Sequence, residues 1–583
     1  MSEINGPDKN KSTIVDGKAA SKSVVVLSLL FLCFPSVYFI YKGVAYPGHD
    51  SWVHIRWSTV FAEQLFSGDL YPRWLADVDA GAGSPVMFYY QPLSYYLSSP
   101  LLLLFPDKEM FFWRVNFSNT VLVFASFFSA RLYLTTVVKQ HSSWVPYFGA
   151  LVYVSGPYFY LADIYVRGAV AESWVFVFVP VLFYGLNMIA AHRIRGVFWI
   201  TLGVFGIIST HIVSAVFWLP IGCLYLMFGR EQKDNLVLAM VSIALGLGLA
   251  SGYLFTALGY IELANISWMY SLEKVSASFL FGEKTLKLLS SLEFNFRTMI
   301  FSFVLFLLLG VVSFSLIVRK VNRMVLFWLL VFVFTLFMLT PLSVWFWINL
   351  PIIYKIQFSW RLVGVLSLVF VILYTYTLDR SSNSHSKMVL TSLPILMCIL
   401  LPILVCVQGA LHIHKNSAVD SYDGISERAY QSYLRGDRPS FSSYEYQLVP
   451  VETLEKFRYL TNVELGDRFA SYEFIEKKPR LVVVKVTAPQ GTTIRFKRQS
   501  FYGTEIIVNG EILRENFDKR MIVLNVPQGE SLVQISLKRM PLERAGYWAS
   551  LISLMLFILL LYSIRTGSRR LSVLNSIALK AQK

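Results

Sequence analysis

Twelve runs of mostly apolar residues constrain the fold of this 583-residue chain more than any other feature of its sequence. A helix needs about 20 consecutive apolar residues to cross the hydrocarbon layer of a bilayer. The runs lie near residues 23–43, 112–137, 145–162, 173–190, 197–213, 214–229, 235–257, 299–318, 324–341, 362–379, 388–411 and 546–564. They predict a polytopic α-helical membrane protein with about twelve transmembrane helices, whose partners include membrane lipid.

The distribution of charge fits this prediction and sets an orientation. Only 15% of the residues are charged, against about 25% in a typical soluble protein. The net charge of +16 comes largely from short basic clusters between the apolar runs, which are typical of membrane topology rather than of nucleic-acid binding. Twelve spans with both termini in the cytoplasm place all of these clusters on one side: Lys139, Arg193, Arg195, Arg230, Lys233, Arg319, Lys320, Arg323, Arg380, Lys387 and the basic C-terminal tail.

The chain divides into four parts by composition. Residues 1–22 form a cytoplasmic tail, and residues 23–411 form the transmembrane domain, with a first outer loop at 44–111. Residues 412–545 have soluble character, and residues 546–583 contain a last span and a basic cytoplasmic tail. The first apolar run lacks the cleavage site of a secretory signal, so we expect it to remain as an anchor.

Short β-rich runs indicate the fold of the soluble part. They lie at 481–487, 492–497, 504–508, 521–526 and 531–538, and Asn509-Gly510 between two of them signals a tight hairpin turn. Strands at this spacing favour an extracytoplasmic antiparallel β-sandwich. Two roles remain open for this part: binding of a substrate, or a lid or cap without chemistry.

A polar, aromatic stretch at 46–99 follows the first apolar run. Asp50, His54 and Arg56 are about one helical turn apart, so a helix that starts near Asp50 would group them. Trp and Tyr at this density are typical of a membrane–water interface, and we interpret the stretch as short helices on the membrane surface.

Further charged residues fall at the outer ends of other spans. Arg167 and Glu172 belong to the segment 163–172, Glu262 follows the seventh run, and His211 marks a hairpin tip. Lys355, Gln357 and Arg361 precede the tenth run. Acids and bases at one membrane depth suit the binding of a phosphate beside a hydroxyl that is being activated.

Each of these residues also has a purely structural interpretation. Asp50 suits a helix N-cap, His54 suits a hydrogen bond to Asp50, and Arg56 suits contact with lipid head groups. Arg167 and Glu172 suit a structural ion pair. Lys355, Arg361 and His211 suit interfacial anchors and a polar hairpin tip. The residues alone leave both interpretations open.

The motifs taken together resemble one family. They are G-H-D-x-x-x-H-x-R (48–56), L-F-S-G-D-L-Y-P-R-W (65–74), G-x-G-S-P-x-x-F-Y-x-x-P-L-x-Y-Y (81–96), V-R-G-A-V-A-E (166–172), S-T-H (209–211) and L-P-I-I-Y-K-I-Q-F-S-W-R (350–361). They resemble the bacterial 6-pyruvoyl-tetrahydropterin synthase-related membrane proteins, whose architecture is similar to that of the GT-C glycosyltransferases. The sequence departs from this pattern at Ser359, where the family usually has proline, and at His49-Asp50, where many GT-C enzymes have a second acid. The second departure leaves metal dependence open, so a divalent metal is possible and no cofactor is certain.

The resemblance implies an envelope-glycan enzyme of the bacterial cytoplasmic membrane. It would transfer a sugar from a polyprenyl-phosphate donor to an extracytoplasmic glycan, lipid or protein acceptor. Asp50 would be the catalytic base, and Arg167, Lys355, Arg361 and Arg56 would bind the lipid phosphate. The substrate-binding candidates also include His54, Glu172, His211, Glu262 and Gln357.

Two other classes of protein remain possible alternatives. One is a flippase or transporter for a lipid-linked glycan, and the other is a non-catalytic membrane protein of polysaccharide assembly. The interiors of the apolar runs contain few Asp or Glu residues, which weighs against an ion-coupled transporter. Four cysteines in apolar runs show neither a disulfide framework nor metal-ligand spacing.

Overall fold

The computed structural model of the chain describes most, but not all, of its residues. The described ranges are 22–46, 48, 50–107, 110–138, 144–191, 194–228, 236–264, 275–276, 278–279, 322–381, 384–417, 462–513 and 521–581. The predicted span 299–318 lies outside these residues, as does the segment 418–461.

The first half of the chain is helical. Its helices are α1 (Lys22–Tyr41), α2 (Ser51–Phe66), α3 (Val86–Tyr89), α4 (Leu93–Ser98), α5 (Pro100–Leu104), α6 (Phe111–Leu134), α7 (Val145–Val154), the π-helix α8 (Tyr158–Arg167), α9 (Val170–Ala190), α10 (Gly196–Thr210), α11 (Ile212–Phe228), α12 (Leu236–Leu249) and α13 (Ser251–Gly259). The predicted helix near Asp50 is therefore present as α2. The predicted hairpin tip at His211 is the single residue between α10 and α11.

The described residues of the second half contain six more helices. They are α14 (Arg323–Met338), α15 (Val344–Asn349), α16 (Pro351–Tyr354), α17 (Val363–Arg380), α18 (Ser384–Ser417) and α19 (Pro541–Ala581). Every residue of α17 from Val363 to Asp379 is buried. A helix that is apolar and buried on all sides belongs at the centre of a bundle.

Among the described residues, six helices are long and apolar enough to cross a membrane, or up to eight if each of two bent helix pairs counts as one span. The bent pairs are α12 with α13, at 67°, and α14 with Pro341–Asn349, at 90°. Helices α10 and α11 are apolar but shorter. The chain is thus mostly helical with the features of a membrane protein, and the larger number of twelve spans stays a prediction.

Glycines allow α9 and α10 to pack closely. A Cβ atom at Gly203 would lie only 2.7 Å from the Leu182 backbone, and one at Gly206 would overlap the Phe178 ring. Small residues at helix interfaces permit this kind of approach in membrane proteins. The contact fixes α9, the helix that carries Glu172.

The C-terminal region forms two antiparallel sheets. The strands are β1 (Val463–Leu465), β2 (Ser471–Lys478), β3 (Leu481–Ala488), β4 (Thr492–Gln499), β5 (Thr504–Val508), β6 (Glu511–Leu513), β7 (Met521–Val526) and β8 (Gly529–Leu537). One sheet has the order β1-β4-β7 and the other β2-β3-β8-β5-β6. Alternate residues of both sheets form one hydrophobic cluster, which includes Val484, Ile494, Ile522 and Ile535.

The predicted tight turn at Asn509-Gly510 is present, and it joins β5 to β6, a short strand that was not predicted. Both residues have positive φ, 52° at Asn509 and 89° at Gly510. This is the conformation that a two-residue type I′ hairpin requires. The Asn509 side chain also accepts a hydrogen bond from the Leu532 amide at 2.8 Å, which ties the turn to β8.

A buried ion pair joins the first loop, the helical region and the sheets. Arg73 Nε lies 3.4 Å from Glu543 Oε1, and both side chains are fully buried. Arg73 also donates hydrogen bonds to Thr256 Oγ1 at 2.7 Å and to the Gly252 carbonyl oxygen. Arg480, in the turn between β2 and β3, pairs with the same Glu543 oxygen at 2.9 Å. Segments from opposite ends of the chain therefore meet at one carboxylate.

Candidate functional site

The junction between α8 and α9 brings three charged side chains together. Gly168 has φ +65° and ψ 33°, and this left-handed residue reverses the chain between the two helices. Arg167 Nη1 donates hydrogen bonds to Asp163 Oδ1 at 2.5 Å and to Glu172 Oε2 at 2.8 Å. Tyr158 donates its hydroxyl to Glu172 Oε1 at 2.8 Å. A π-helix at such a position is often found at functional sites.

Arg361 adds a second cation to this group. It lies in a 3₁₀ turn, Ser359–Leu362, and its Nε is 3.4 Å from Glu172 Oε2. The Nε group lacks hydrogen-bond geometry, so this contact is one of charge alone. Arg361 Nη1 donates to the Ile356 carbonyl oxygen at 2.8 Å and to Gln357 Oε1 at 3.1 Å. We call Asp163, Arg167, Glu172 and Arg361 the ion cluster.

The backbone at Gln357 is unusual for its residue type. Its φ is +71°, a conformation that costs a non-glycine residue about 1 kcal/mol or more. The Gln357 side chain accepts a hydrogen bond from Arg361 within the same turn. This hydrogen bond fixes the Arg361 guanidinium.

Aromatic rings cover the two guanidinium groups. The Trp360 ring centroid is 4.5 Å from Arg167 Cζ, and the Phe358 ring centroid is 5.3 Å from Arg361 Cζ. Phe358 and Trp360 stack on each other at 5.2 Å. Cation–π contacts of this kind are stronger where water is excluded.

Asp50 lies next to the ion cluster, at the start of α2. Its backbone amide donates to the Arg167 carbonyl oxygen at 2.7 Å. Asp50 occupies the N-cap position of α2 but its side chain makes no capping hydrogen bond, and the residue is exposed. Its carboxylate interacts electrostatically with His54, Tyr90 and Arg167. The structural interpretation of Asp50 as a helix cap is therefore not supported by its side-chain geometry.

His54 is a buried, neutral neighbour of Asp50. Its Nδ1 is 2.8 Å from the Tyr95 hydroxyl oxygen, and its ring packs against Trp57 and Tyr90. Burial lowers the pKa of His54 to about 4, although the nearby Asp50 carboxylate acts in the opposite direction. The imidazole is uncharged at neutral pH.

His211 approaches the cluster from another side. Its Nε2 is 4.0 Å from Glu172 Oε2, and its Nδ1 is 2.8 Å from Ser214 Oγ. Residues from five separate segments of the sequence therefore meet around Glu172 and Arg167: Asp50 and His54, Tyr90, Asp163 to Glu172, His211, and Gln357 to Arg361.

Arg56 and Glu262 lie elsewhere, and Lys355 is an exposed residue shortly before Gln357. Arg56 donates a hydrogen bond to the Asp77 carbonyl oxygen. Glu262 is exposed in a short turn, Ile261–Leu263, whose apolar residues pack near Trp74 and Phe501. Lys355 is exposed at the end of α16.

Several contacts of the site were not predicted from the sequence. Tyr158 and Tyr95 each hydrogen-bond a predicted residue, and Trp360 covers Arg167. Trp360 adjoins Arg361 in the chain, which is a usable signal. Tyr95 belongs to the motif at 81–96, which is a usable signal as well, whereas nothing local distinguishes Tyr158 among the 32 tyrosines.

The Asp163 and Glu172 carboxylates do not fit a divalent metal. Asp163 and Glu172 both contact the Arg167 guanidinium, which occupies the space that a cation would need. Within the described part of the chain, no group of three or more His, Cys, Asp or Glu side chains is placed to hold a metal ion.

An apolar groove of about 600 Å³ lies near the site. It lies between α11, α14 and the segment 352–365, and Phe217, Ile356 and Leu362 are among its lining residues. Phe217 also borders a small pocket that Glu172 and Arg361 line. The groove and the ion cluster thus share a wall.

Comparison with protein-family models finds no match for this chain. Comparison with curated proteins finds no match either. The resemblance drawn from the motifs stays a prediction.

Proposed function

We propose that this protein is a GT-C-type glycosyltransferase of the bacterial cytoplasmic membrane. In this proposal twelve spans place both termini in the cytoplasm, and the first loop and a β-sandwich formed by the two sheets lie outside. The enzyme transfers a sugar from a polyprenyl-phosphate donor to an extracytoplasmic glycan, lipid or protein. One observation carries the proposal: the Ile356 side chain lines the apolar groove, while its carbonyl oxygen accepts the hydrogen bond from Arg361.

This juxtaposition suits an apolar chain that ends in a phosphate. The groove offers Phe, Leu, Ile, Val and Met side chains to a polyprenyl tail, and burial of each methylene group is worth about 0.8 kcal/mol. Arg361 adjoins the groove through its hydrogen bond to Ile356, and Arg167 shares Glu172 with Arg361. Guanidinium groups bind phosphate oxygens through paired hydrogen bonds.

Arg167 keeps hydrogen-bond donors for such a ligand. Its ion pairs with Asp163 and Glu172 both use Nη1. Nε and Nη2 are therefore the donors that we assign to the lipid phosphate. Glu172 and Asp163 hold the guanidinium in place, which preorganises the cation before the substrate arrives.

Asp50 is our candidate for the general base. The acceptor hydroxyl attacks the anomeric carbon, and Asp50 takes its proton as the new C–O bond forms. The bond from the sugar to the lipid phosphate breaks at the same time, and the phosphate leaves with the bonding electrons through an oxocarbenium-like state. Arg167 and Arg361 stabilise the charge that develops on the leaving phosphate.

The same groove also favours the alternative of a lipid-linked glycan flippase or transporter. Such a protein needs a path for the lipid tail and a polar contact for the head group, and it leaves the sugar–phosphate bond intact. The two functions therefore differ in whether this bond is cleaved.

The test uses purified protein in liposomes with a panel of undecaprenyl-phosphate sugars labelled in the sugar. We expect the wild type to release undecaprenyl phosphate and to label an acceptor. Arg361→Ala should weaken undecaprenyl phosphate binding and slow turnover, each at least tenfold, because the cation acts in both the ground state and the transition state. Arg380→Ala, at the other end of α17, is the matched control and should resemble the wild type. Translocation of an uncleaved donor by the wild type would contradict the proposal and support the transporter.

A further inference from the structure

A second cavity, of about 710 Å³, lies between the two sheets and the first loop. We call it the interdomain cleft. One wall is the end of α2 and the segment that follows it, and the other is the hairpin of β2 and β3 together with β4. Gln499 holds the walls together, since its amide nitrogen and side chain donate to the Ala82 and Gly83 carbonyl oxygens, each at 3.0 Å.

The sheet wall of the cleft is basic. Five cationic residues line it: Lys477, Lys478, Arg480, Lys497 and Arg498. Two of these have carboxylate partners, because Lys478 pairs with Glu476 at 2.5 Å and Arg480 with Glu543. No carboxylate of a described residue lies within 4.0 Å of the other three.

Arg498 is the most informative of these three cations. It is half-buried, its Nη2 donates to the Pro479 carbonyl oxygen at 2.9 Å, and its guanidinium lies 5.5 Å from the Trp74 ring. Burial lowers the pKa of Arg498 to about 10, and it lowers the pKa of Lys497 as well. A half-buried cation without a carboxylate is costly unless an anion binds to it.

The loop wall offers hydrogen-bond acceptors instead. Glu63 and Asp69 line it, and Asp69 Oδ2 is buried without a hydrogen-bond partner among the described residues. Carboxylate oxygens accept hydrogen bonds from sugar hydroxyl groups. Cations on one wall and acceptors on the other suit a saccharide that carries negative charges better than they suit a free anion.

Helix α2 connects the cleft to the proposed site. Asp50 directly precedes its first residue and Glu63 lies 13 positions later, so a rise of 1.5 Å per residue separates them by about 20 Å. A ligand that occupies both places has to be an extended chain of several sugar units.

We propose that the interdomain cleft binds an anionic segment of the acceptor, an oligosaccharide that carries carboxylate or phosphate groups. Lys477, Lys497 and Arg498 bind its charges, and Asp69 accepts hydrogen bonds from its hydroxyls. The identification of this ligand as the acceptor rests on the proposed glycosyltransferase function. The binding site itself does not.

The experiment measures binding by thermophoresis with the full chain in nanodiscs and without any donor. The probes are oligogalacturonate, a glycerol-phosphate oligomer of similar length, inorganic phosphate and neutral maltooctaose. We expect one or both anionic oligomers to bind at least tenfold more tightly than maltooctaose and inorganic phosphate, and the tighter oligomer to identify the charged group. Lys477→Gln with Lys497→Gln should weaken that binding at least tenfold and reduce its salt dependence.

Lys485→Gln is the matched control, because Lys485 is a partly exposed lysine of β3 that pairs with Glu530 at 2.9 Å outside the cleft. Binding of maltooctaose or inorganic phosphate as tight as that of the anionic oligomers would overturn the proposal. Equal losses in the double variant and the control would also overturn it. A protein that binds the anionic oligomer but fails to cleave any undecaprenyl-phosphate sugar would contradict the glycosyltransferase function and leave the cleft site intact.

Discussion

At the scale of single residues, the Asp50 carboxylate is the group whose chemistry is easiest to isolate. Asp50→Asn is nearly isosteric but cannot accept a proton. We expect it to fold and to bind undecaprenyl phosphate like the wild type, while sugar transfer falls about 10²–10⁴-fold, the typical loss when a general base is removed. Asp107→Asn, an exposed aspartate of the same loop, is the control and should transfer normally. Near-wild-type transfer by Asp50→Asn would remove Asp50 as base and make Glu172 the next candidate.

His54 should make stability depend on pH. Its pKa in the folded protein, about 4, is below the ordinary value of 6.5, so between these values the unfolded chain binds a proton that the folded chain excludes. This contribution to stability is fully present above pH 6.5 and is lost as the pH falls toward 4. From pH 7 to pH 5 the loss is about 2 kcal/mol.

A comparison with His54→Asn measures this contribution. The variant keeps a hydrogen-bonding group near Tyr95 but has no titrating ring. Thermal unfolding in detergent at pH 7, 6 and 5 should show a smaller loss of stability for His54→Asn than for the wild type. If the stabilities of the two proteins fall equally as the pH is lowered, His54 is solvated or protonated in the folded state.

Which site residues meet could be predicted only in part. Polar and charged residues at the ends of apolar runs were candidates, because burying such groups near a membrane costs free energy unless they have a function. The structure brings seven of these candidates together: Asp50, His54, Arg167, Glu172, His211, Gln357 and Arg361. Arg56 satisfied the same criterion but faces the Asp77 carbonyl. Spacing along one helix gives the angle between side chains. It does not say which face of the helix meets the rest of the protein.

At the scale of the elements, the crossing of α2 with the junction of α8 and α9 sets the position of Asp50. A Cβ atom at Gly168 would collide with the Ser51 hydroxyl, and the positive φ adds strain for any other residue. We expect Gly168→Ala to lower the free energy of unfolding by more than about 1–2 kcal/mol and to reduce sugar transfer, because Asp50 must shift.

Gly43→Ala is the control for Gly168→Ala, because it introduces the backbone strain without a collision. Gly43 has nearly the same φ, +67°, but a Cβ atom there would meet nothing within 4 Å. It should cost about 1 kcal/mol and leave transfer unchanged. If the two variants transfer sugar equally well, the crossing does not position Asp50.

Strands with apolar alternation were predictable, and exposed strands were not. Strands β3, β4, β5, β7 and β8 overlap the predicted runs, and Leu481–Ala488 buries most of its residues in the cluster between the sheets. Strand β2, Ser471–Lys478, was missed because it is a mostly exposed edge strand rich in Glu and Lys. Its backbone pairs with β3 across a tight hairpin, and this pairing needs no apolar pattern in the β2 side chains.

At the scale of the whole molecule, the proposed topology makes a direct prediction. In a chain whose four cysteines are replaced by alanine, Ser67→Cys in the first loop and Ser471→Cys in β2 should react with a membrane-impermeant maleimide in intact spheroplasts. Thr135→Cys, at the end of α6, should react only after permeabilisation, because the positive-inside pattern places it in the cytoplasm. All three positions are exposed. Labelling of Thr135→Cys alone would reverse the orientation and move the proposed site to the cytoplasm.

The ion pair between Arg73 and Glu543 has a consequence for the order of biosynthesis. Because the ribosome makes the N-terminal part first, Arg73 leaves it long before Glu543 exists. Until then Arg73 lacks the carboxylate that neutralises it in the finished fold, and leaving such a charge buried and unpaired costs about 3–5 kcal/mol. The segment that follows Asp50 can therefore reach its final conformation only when α19, the helix that carries Glu543, has been synthesised. A chain released before that point has an incompletely folded first loop.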